Sequence, residues 1–266
     1  MKVSRTETTL THALLVVAAI IAVYPLVSIV LSALRGRDGS IGLASFDIAW
    51  ERGGFGSALL SSAFISITVV VVTVILVSLA GFALATMRVP GGRLMLPILL
   101  LGLVLPYEVT VLPLYQLMSD WALLDTWWAL ILPQIGLSVP LGVFWMRSFF
   151  ASVPGELLEA ARIDGAGRFQ TFRLVLLPVA GPAIATLSTI LFLFTWNEFL
   201  LALVLVPQDP LVQTAPLALS FFAGAGRTID PSVTAAAAVI VAAPIVVAYV
   251  ILQRRLIAGL TEGAVK

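Results

Sequence analysis

Glu156, Glu159, Arg162, Asp164, Arg168 and Arg173 are the side chains most able to do chemistry, because they make a polar island in an almost wholly apolar chain. Their chemistry is recognition of a surface rather than bond making. Pro154 suits the first turn of a helix, where a missing N–H costs nothing. Glu156 and Glu159 follow in the early turns, where carboxylates complement the positive end of the helix dipole. Leu157, Leu158 and Ala161 recur at three- and four-residue spacing and so share one face. Gly165 then ends the helix, since glycine enters the left-handed cap without a side-chain penalty. A second helical stretch through Phe169, Phe172 and Val175 reaches Pro178 and leads into a span near Pro182. Small alanines at 160 and 161 would let a partner surface approach closely. The alternative is a helix lying on lipid headgroups, held by Arg162, Arg168 and Arg173.

Other chemistries find no residues to carry them. The chain has no cysteine and a single histidine, His12, at the start of an apolar run where an interfacial role suffices. No H-E-x-x-H or G-x-S-x-G pattern offers a metal site or a nucleophile, so neither a catalytic nor a metal-binding residue is expected. Lysine occurs only at Lys2 and Lys266, so no phosphate-binding loop of the G-x-x-x-x-G-K-[ST] kind is present. If ATP drives this protein, another subunit must hydrolyse it. A net charge of +1 gives no basis for nucleic-acid binding.

The elements around the island are membrane spans. Hydrophobic residues make up 60% of the chain and charged ones 11%, against about 45–50% and about 25% in soluble domains. About 20 apolar residues cross a hydrocarbon core of about 30 Å. Runs of that kind predict six spans near Thr11–Leu34, Ala58–Met87, Leu94–Leu114, Trp127–Trp145, Ala183–Val206 and Val233–Leu252. The expected fold is therefore all-α, a single polytopic membrane domain over 1–266 with a polar loop at about 148–181. The first run lacks a small-x-small cleavage pattern before Arg35 and is read as a retained helix. With both termini inside, eleven Lys and Arg face the inner side and four, Arg35, Arg37, Arg52 and Arg227, face the outer. That asymmetry places both termini in the cytoplasm, with Arg35 and Arg37 as local exceptions.

Within this frame Trp50, Trp121, Trp127 and Trp128 serve as interfacial anchors. Pro25, Pro106, Pro113, Pro133, Pro140 and Pro244 bend spans, whose freed carbonyls neighbouring helices can satisfy. Asn197 and Glu198 are the least apolar pair inside a span and are candidates for a translocation path or for a satisfied structural pair. Glu108, beside Pro106, belongs at an interface. Gly224, Gly226 and Arg227 lie in the last outer loop, which either connects or docks.

Three ordered motifs resemble one family. Glu159-Ala160-Ala161, then Gly165, then Val175-x-Leu177-Pro178 after nine residues, is similar to the E-A-A-x-x-x-G-x(9)-I-x-L-P loop in permease subunits of bacterial ABC importers. Val175 replaces isoleucine there, keeping the β-branched shape. Ile163-Asp164-Gly165-Ala166 resembles the carbohydrate branch, in particular the second permease of maltose-type systems, with Gly167 where that branch often has serine. Trp196-Asn197-Glu198-Phe199 resembles its W-N-E-F. The ending, Gln253-Arg254 followed by Gly259-Leu260-Thr261-Glu262-Gly263-Ala264-Val265-Lys266, resembles its Q-R-x-x-x-x-G-L-T-x-G-A-V-K tail.

The resemblance implies a type I importer permease fold in a bacterial inner membrane and a binding-protein-dependent transport role. It implies that the helix at 154–165 couples to an ATP-binding subunit through Glu159, Ala160, Ala161, Asp164 and Gly165. Two such subunits would hold ATP and Mg, while this chain binds no cofactor itself. The tail Gly263, Ala264, Val265 and Lys266 would reach between them. A second homologous permease would complete the path, and an extracytoplasmic solute-binding protein would touch the outer loop. Another solute, such as glycerol phosphate, fits the same class. An ion-coupled secondary carrier would need midplane carboxylates and inverted repeats, and the chain offers Glu198 alone and no matching halves.

Overall fold

The computed structural model describes residues 5–35, 40–224 and 230–264. Lys2, Arg37, Gly226, Arg227, Val265 and Lys266 lie outside these ranges, as do the roles expected of them. Every regular element among the described residues is helical, so this is an all-α polytopic membrane fold. Four helices are long and apolar enough to cross a membrane: α1 (Arg5–Leu34), α3 (Phe55–Thr86), α6 (Trp127–Ser152) and α13 (Pro231–Ala264). Counting each of two sharply bent pairs as one crossing brings the number to six. Short helices α2 (Ala44–Gly53), α4 (Gly92–Val104), α5 (Val111–Asp120), α7 (Gly155–Ile163), α8 (Arg168–Gln170) and α9 (Leu177–Val179) fill the sequence between them. So do α10 (Gly181–Trp196), α11 (Leu200–Leu205) and α12 (Ala215–Gly224).

Two predicted spans are not straight helices. The third, expected over Leu94–Leu114, breaks after α4, and the chain turns by 94° into the helix beginning at Tyr107. Pro106 explains the break. Its ring disfavours a helical conformation in the residue before it, and Leu105 is accordingly extended at φ −69° and ψ 129°. The fifth, expected over Ala183–Val206, stops at Trp196, and α11 starts afresh at Leu200. Here polar side chains support the break, Asn197 adding to a carbonyl that already accepts its own N–H and Glu198 replacing a missing helix bond. Asn197 Nδ2 donates to the Leu193 carbonyl at 2.8 Å. The Glu198 carboxylate accepts the Leu201 N–H at 2.8 Å, capping α11. The bend before α10 comes earlier, at the end of α9, where the chain turns by 74°.

The chain divides into two compact units, one of residues 1–56 with 218–244 and one of residues 57–217 with 245–266. In the first, α1 leaves its apolar surface outward over most of its length. Ala33 and Ala49 are fully buried where α1 meets α2. Phe55 meets Phe222 edge to face with centroids 5.5 Å apart. Asp230 caps α13 by accepting both the N–H and the hydroxyl of Ser232, with Pro231 in the first turn where its lack of an N–H is harmless.

In the second unit, helices associate by close packing, since lipid offers no hydrophobic drive between them. Val77, Met146, Phe150, Leu176, Leu187 and Leu191 are all buried in one cluster joining α3, α6, α10 and the polar loop. Glycines let α3 and α6 approach. A Cβ on Gly142 would lie 2.8 Å from Val77 Cγ1, and one on Gly81 would lie 2.8 Å from the Arg147 amide nitrogen. A second buried cluster ties Ile65 and Val69 of α3 to Leu130 of α6 and Leu201 of α11. Serines extend this contact. Ser61 accepts the Trp127 indole N–H at 3.1 Å and donates to the Val212 carbonyl at 2.7 Å, while Ser62 accepts the Ala215 N–H at 2.8 Å. Trp127 is thus bonded into the bundle, beyond the anchoring role expected of it.

The tight α3–α6 crossing makes a direct test. Gly142→Ala is expected to cost about 1–3 kcal/mol through overpacking against Val77. Adding Val77→Ala should recover most of that loss. Thermal unfolding of the purified protein in detergent measures both; a fully stable Gly142→Ala variant would show that the helices do not meet there.

Candidate functional site: the polar loop and its helix

The loop between α6 and α10 carries the polar island. Its first arm is α7, entered through Pro154, whose carbonyl accepts the Leu157 N–H at 3.2 Å. Glu156 in the first turn and Arg162 in the last both complement the helix dipole. The helix stops in a closed pair of backbone bonds. Gly165 N–H donates to the Arg162 carbonyl at 3.1 Å, and Ala166 N–H donates to the Ala161 carbonyl at 2.9 Å. This is a Schellman turn, which needs a left-handed residue at its centre. Gly165 supplies it at φ +76°.

The second arm turns back immediately. Gln170 Oε1 accepts the Gly167 N–H at 2.9 Å, and α8 runs into a π-helical stretch over Thr171–Leu176 before α9. That stretch buries Phe172 and Leu176. Phe172 stands 5.2 Å from the ring of Phe82 on α3 and 6.3 Å from that of Phe150 on α6. Phe82 and Phe150 meet edge to face at 6.1 Å. Three aromatic rings therefore clamp the second arm to two membrane helices, and Leu158 of the first arm packs against the same cluster.

The face that remains outward is the candidate site. Glu159, Ala160, Asp164 and Gly165 are exposed together on α7 and its terminal turn. The Glu159 carboxylate makes no hydrogen bond or ion pair among the described residues. Ala161 is different. It is only 5% exposed and points into the loop's own packing, where its small side chain lets the arms close up. Ile163, next to Asp164 and four residues after Glu159, is 86% exposed, an apolar side chain left bare. Leu157, expected on the inner face with Leu158 and Ala161, is also exposed, while spacing against that face could have marked Ile163 as outward. The aromatic clamp has no such local signal, because its rings come from 82, 150 and 172.

The other candidate residues lie on other elements. Asn197 and Glu198 occupy the α10–α11 break, where their side chains serve the backbone. Gly224 is exposed at the end of α12, and Gly263 and Ala264 end α13. No group of three metal-ligating side chains occurs among the described residues.

Residues 77–262 match the family described as binding-protein-dependent transport system inner membrane component. The chain is 39% identical to the trehalose transport system permease protein SugB of Mycobacterium tuberculosis, over 80% of this chain and 77% of that protein. It is 34% identical to the arabinooligosaccharides transport system permease protein AraQ of Halalkalibacterium halodurans, over 93% of this chain and 92% of that one. Its fold matches a crystal structure of a bacterial ABC transporter involved in import of the acidic polysaccharide alginate, with TM-score 0.76 and 22% identity. That match covers 96% of this chain and 99% of the other.

The left-handed turn at Gly165 is open. Nothing lies within 4 Å of where a Cβ would stand, so substitution there acts through the backbone alone. Gly165→Asn is expected to be mild, and Gly165→Ala to cost about 1–2 kcal/mol. Gly165→Val should cost more than either. Unfolding midpoints in detergent rank the three; equal midpoints for valine and glycine would mean the cap is dispensable.

Proposed function

Since the chain belongs to the family of binding-protein-dependent transport system inner membrane components, we propose that it is the permease of an ATP-driven carbohydrate importer and couples to its ATPase through α7. The carbohydrate assignment is supported by the relatives, which are named for trehalose, for arabinooligosaccharides and for melibiose, raffinose and stachyose. One observation carries the coupling assignment. An amphipathic helix is braced from behind by a membrane-helix cluster while its outer face carries an unpaired carboxylate and a bare isoleucine.

The proposed joint divides its labour. Glu159 offers a charge-assisted hydrogen bond and Ile163 an apolar knob to a cleft of the ATP-binding subunit. Ala160 leaves room beside them. Asp164 and Gly165 set where the helix ends, and Ala161 works from inside, holding α7 against its own support. Close-packed contacts pass displacement on rather than absorbing it. A push on α7 therefore reaches α3 and α6 through Leu158, Phe172, Phe82 and Phe150. ATP and Mg would sit on two such partner subunits, which supply the hydrolysis that this chain does not.

The rest of the assembly follows the same reading. A second, homologous permease completes the translocation path, with Asn197 and Glu198 shaping this half by fixing the α10–α11 break. A solute-binding protein docks at the loop of Gly224, Gly226 and Arg227. The tail Gly263, Ala264, Val265 and Lys266 reaches between the ATP-binding subunits. Both termini then lie in the cytoplasm of a bacterial cell.

Reversing the central charge tests the joint. Glu159→Lys leaves an exposed residue exposed, so folding should be unaffected. Losing a partnered charge at a buried interface costs about 2 kcal/mol or more, which is more than tenfold in affinity. ATP-driven uptake of labelled disaccharide in proteoliposomes, with co-purification of the ATPase, should fall accordingly. Unchanged uptake and assembly would sink the coupling role of α7.

A further inference from the structure

A cavity of about 430 Å³ opens where the end of α3 meets the polar loop, and three arginines, Arg88, Arg162 and Arg168, line it. Thr86 and Thr171 line it with them, as do the apolar Phe82 and Leu158. No carboxylate lines the cavity. None of the three guanidinium groups makes an ion pair or hydrogen bond among the described residues. The threonine hydroxyls are already donating, Thr86 to the Phe82 carbonyl at 2.8 Å and Thr171 to the Gly167 carbonyl at 3.1 Å. Recognition therefore falls to the arginines.

Three like charges lining one cavity favour an anion that can join them. Each guanidinium presents five donors in a planar fork that matches phosphate oxygens in pairs. A single carboxylate has only two oxygens to share among three forks, whereas a phosphate ester offers more acceptors. The volume leaves room for the ester's organic part, and the apolar lining of Phe82 and Leu158 suits an apolar one. Position agrees with the chemistry. Arg88 lies two residues beyond the end of the membrane-spanning α3, so it sits past the apolar run, where a basic side chain can meet a lipid headgroup.

We propose that this cavity is a binding site for a phosphate ester, clamped by Arg88, Arg162 and Arg168. An anionic phospholipid headgroup and a free phosphorylated solute share that chemistry. The site does not depend on the ATPase reading, because Arg88 and Arg168 lie outside α7. A bound ester would tie the end of α3 to both arms of the loop.

The test uses the full-length protein in phosphatidylcholine nanodiscs doped with phosphatidylglycerol, with retained lipid counted by native mass spectrometry. Arg88→Gln/Arg168→Gln should lower phosphatidylglycerol retention by about tenfold or more, from the loss of two cationic contacts. Arg173→Gln, an exposed arginine outside the cavity, should leave it unchanged. Arg88→Lys/Arg168→Lys keeps charge without the fork and should fall between. In a second arm, inorganic phosphate is titrated into pure phosphatidylcholine discs. Phosphate binding that the glutamine double variant loses, without selective lipid retention, assigns the site to a soluble ester. Equal phosphatidylglycerol retention by wild type and the glutamine double variant, with no phosphate binding that this variant loses, overturns the proposal. So does an Arg173→Gln loss as large as that of the double variant, which would reduce the effect to surface charge.

Discussion

Backbone N–H and C=O groups in a membrane have no water to turn to, so each break in a helix must bring its own replacement bonds. That constraint organises this chain. At the α10–α11 break, Asn197 bonds back to Leu193 and Glu198 caps Leu201. Outside the membrane spans, in the polar loop, two backbone bonds likewise close a Schellman turn around Gly165. At Leu105–Pro106 the ring forces the preceding residue out of the helix. The residues that look most functional in a hydropathy profile are partly there to make irregular backbone tolerable.

The polar loop adds a mechanical consequence. Its second arm is not a tether but a clamped element, with Phe172 seated among Phe82 and Phe150. On the proposed coupling role, a loop packed that way would carry displacement of its outward face to the membrane helices behind it. The π-helical stretch over Thr171–Leu176 sits at this clamp. Such stretches shift side-chain phase relative to an α-helix and often mark functional positions. Here the buried pair Phe172 and Leu176 belongs to it.

Much of the loop is legible from residue types alone. Leu158 on the inner face and Gly165 at the end obey local rules and are found where those rules put them, whereas Pro154 stands just ahead of the first turn as the N-cap and Leu157 is exposed. Ala161 is legible as small but not as inward. Its role as a contact residue and its burial look the same in a sequence, since both call for alanine. Glu198 is legible as an unusual acid inside an apolar run. That it ends one helix and begins another follows from a hydrogen bond three residues away, which hydropathy averages over.

Residue types and their order suffice for the all-α membrane class, the placement of the apolar runs, the helix–glycine–helix form of the loop and the absence of a phosphate-binding loop lysine. These follow from composition, periodicity and single-residue backbone preferences, all of which act locally. Three-dimensional packing was needed to show that two runs bend sharply and that Trp127 bonds to Ser61. It also brings Phe82, Phe150 and Phe172 into one clamp and gathers Arg88, Arg162 and Arg168 around one cavity. The reason is physical: side-chain contacts between residues tens of positions apart depend on how helices cross, and no local preference encodes a crossing.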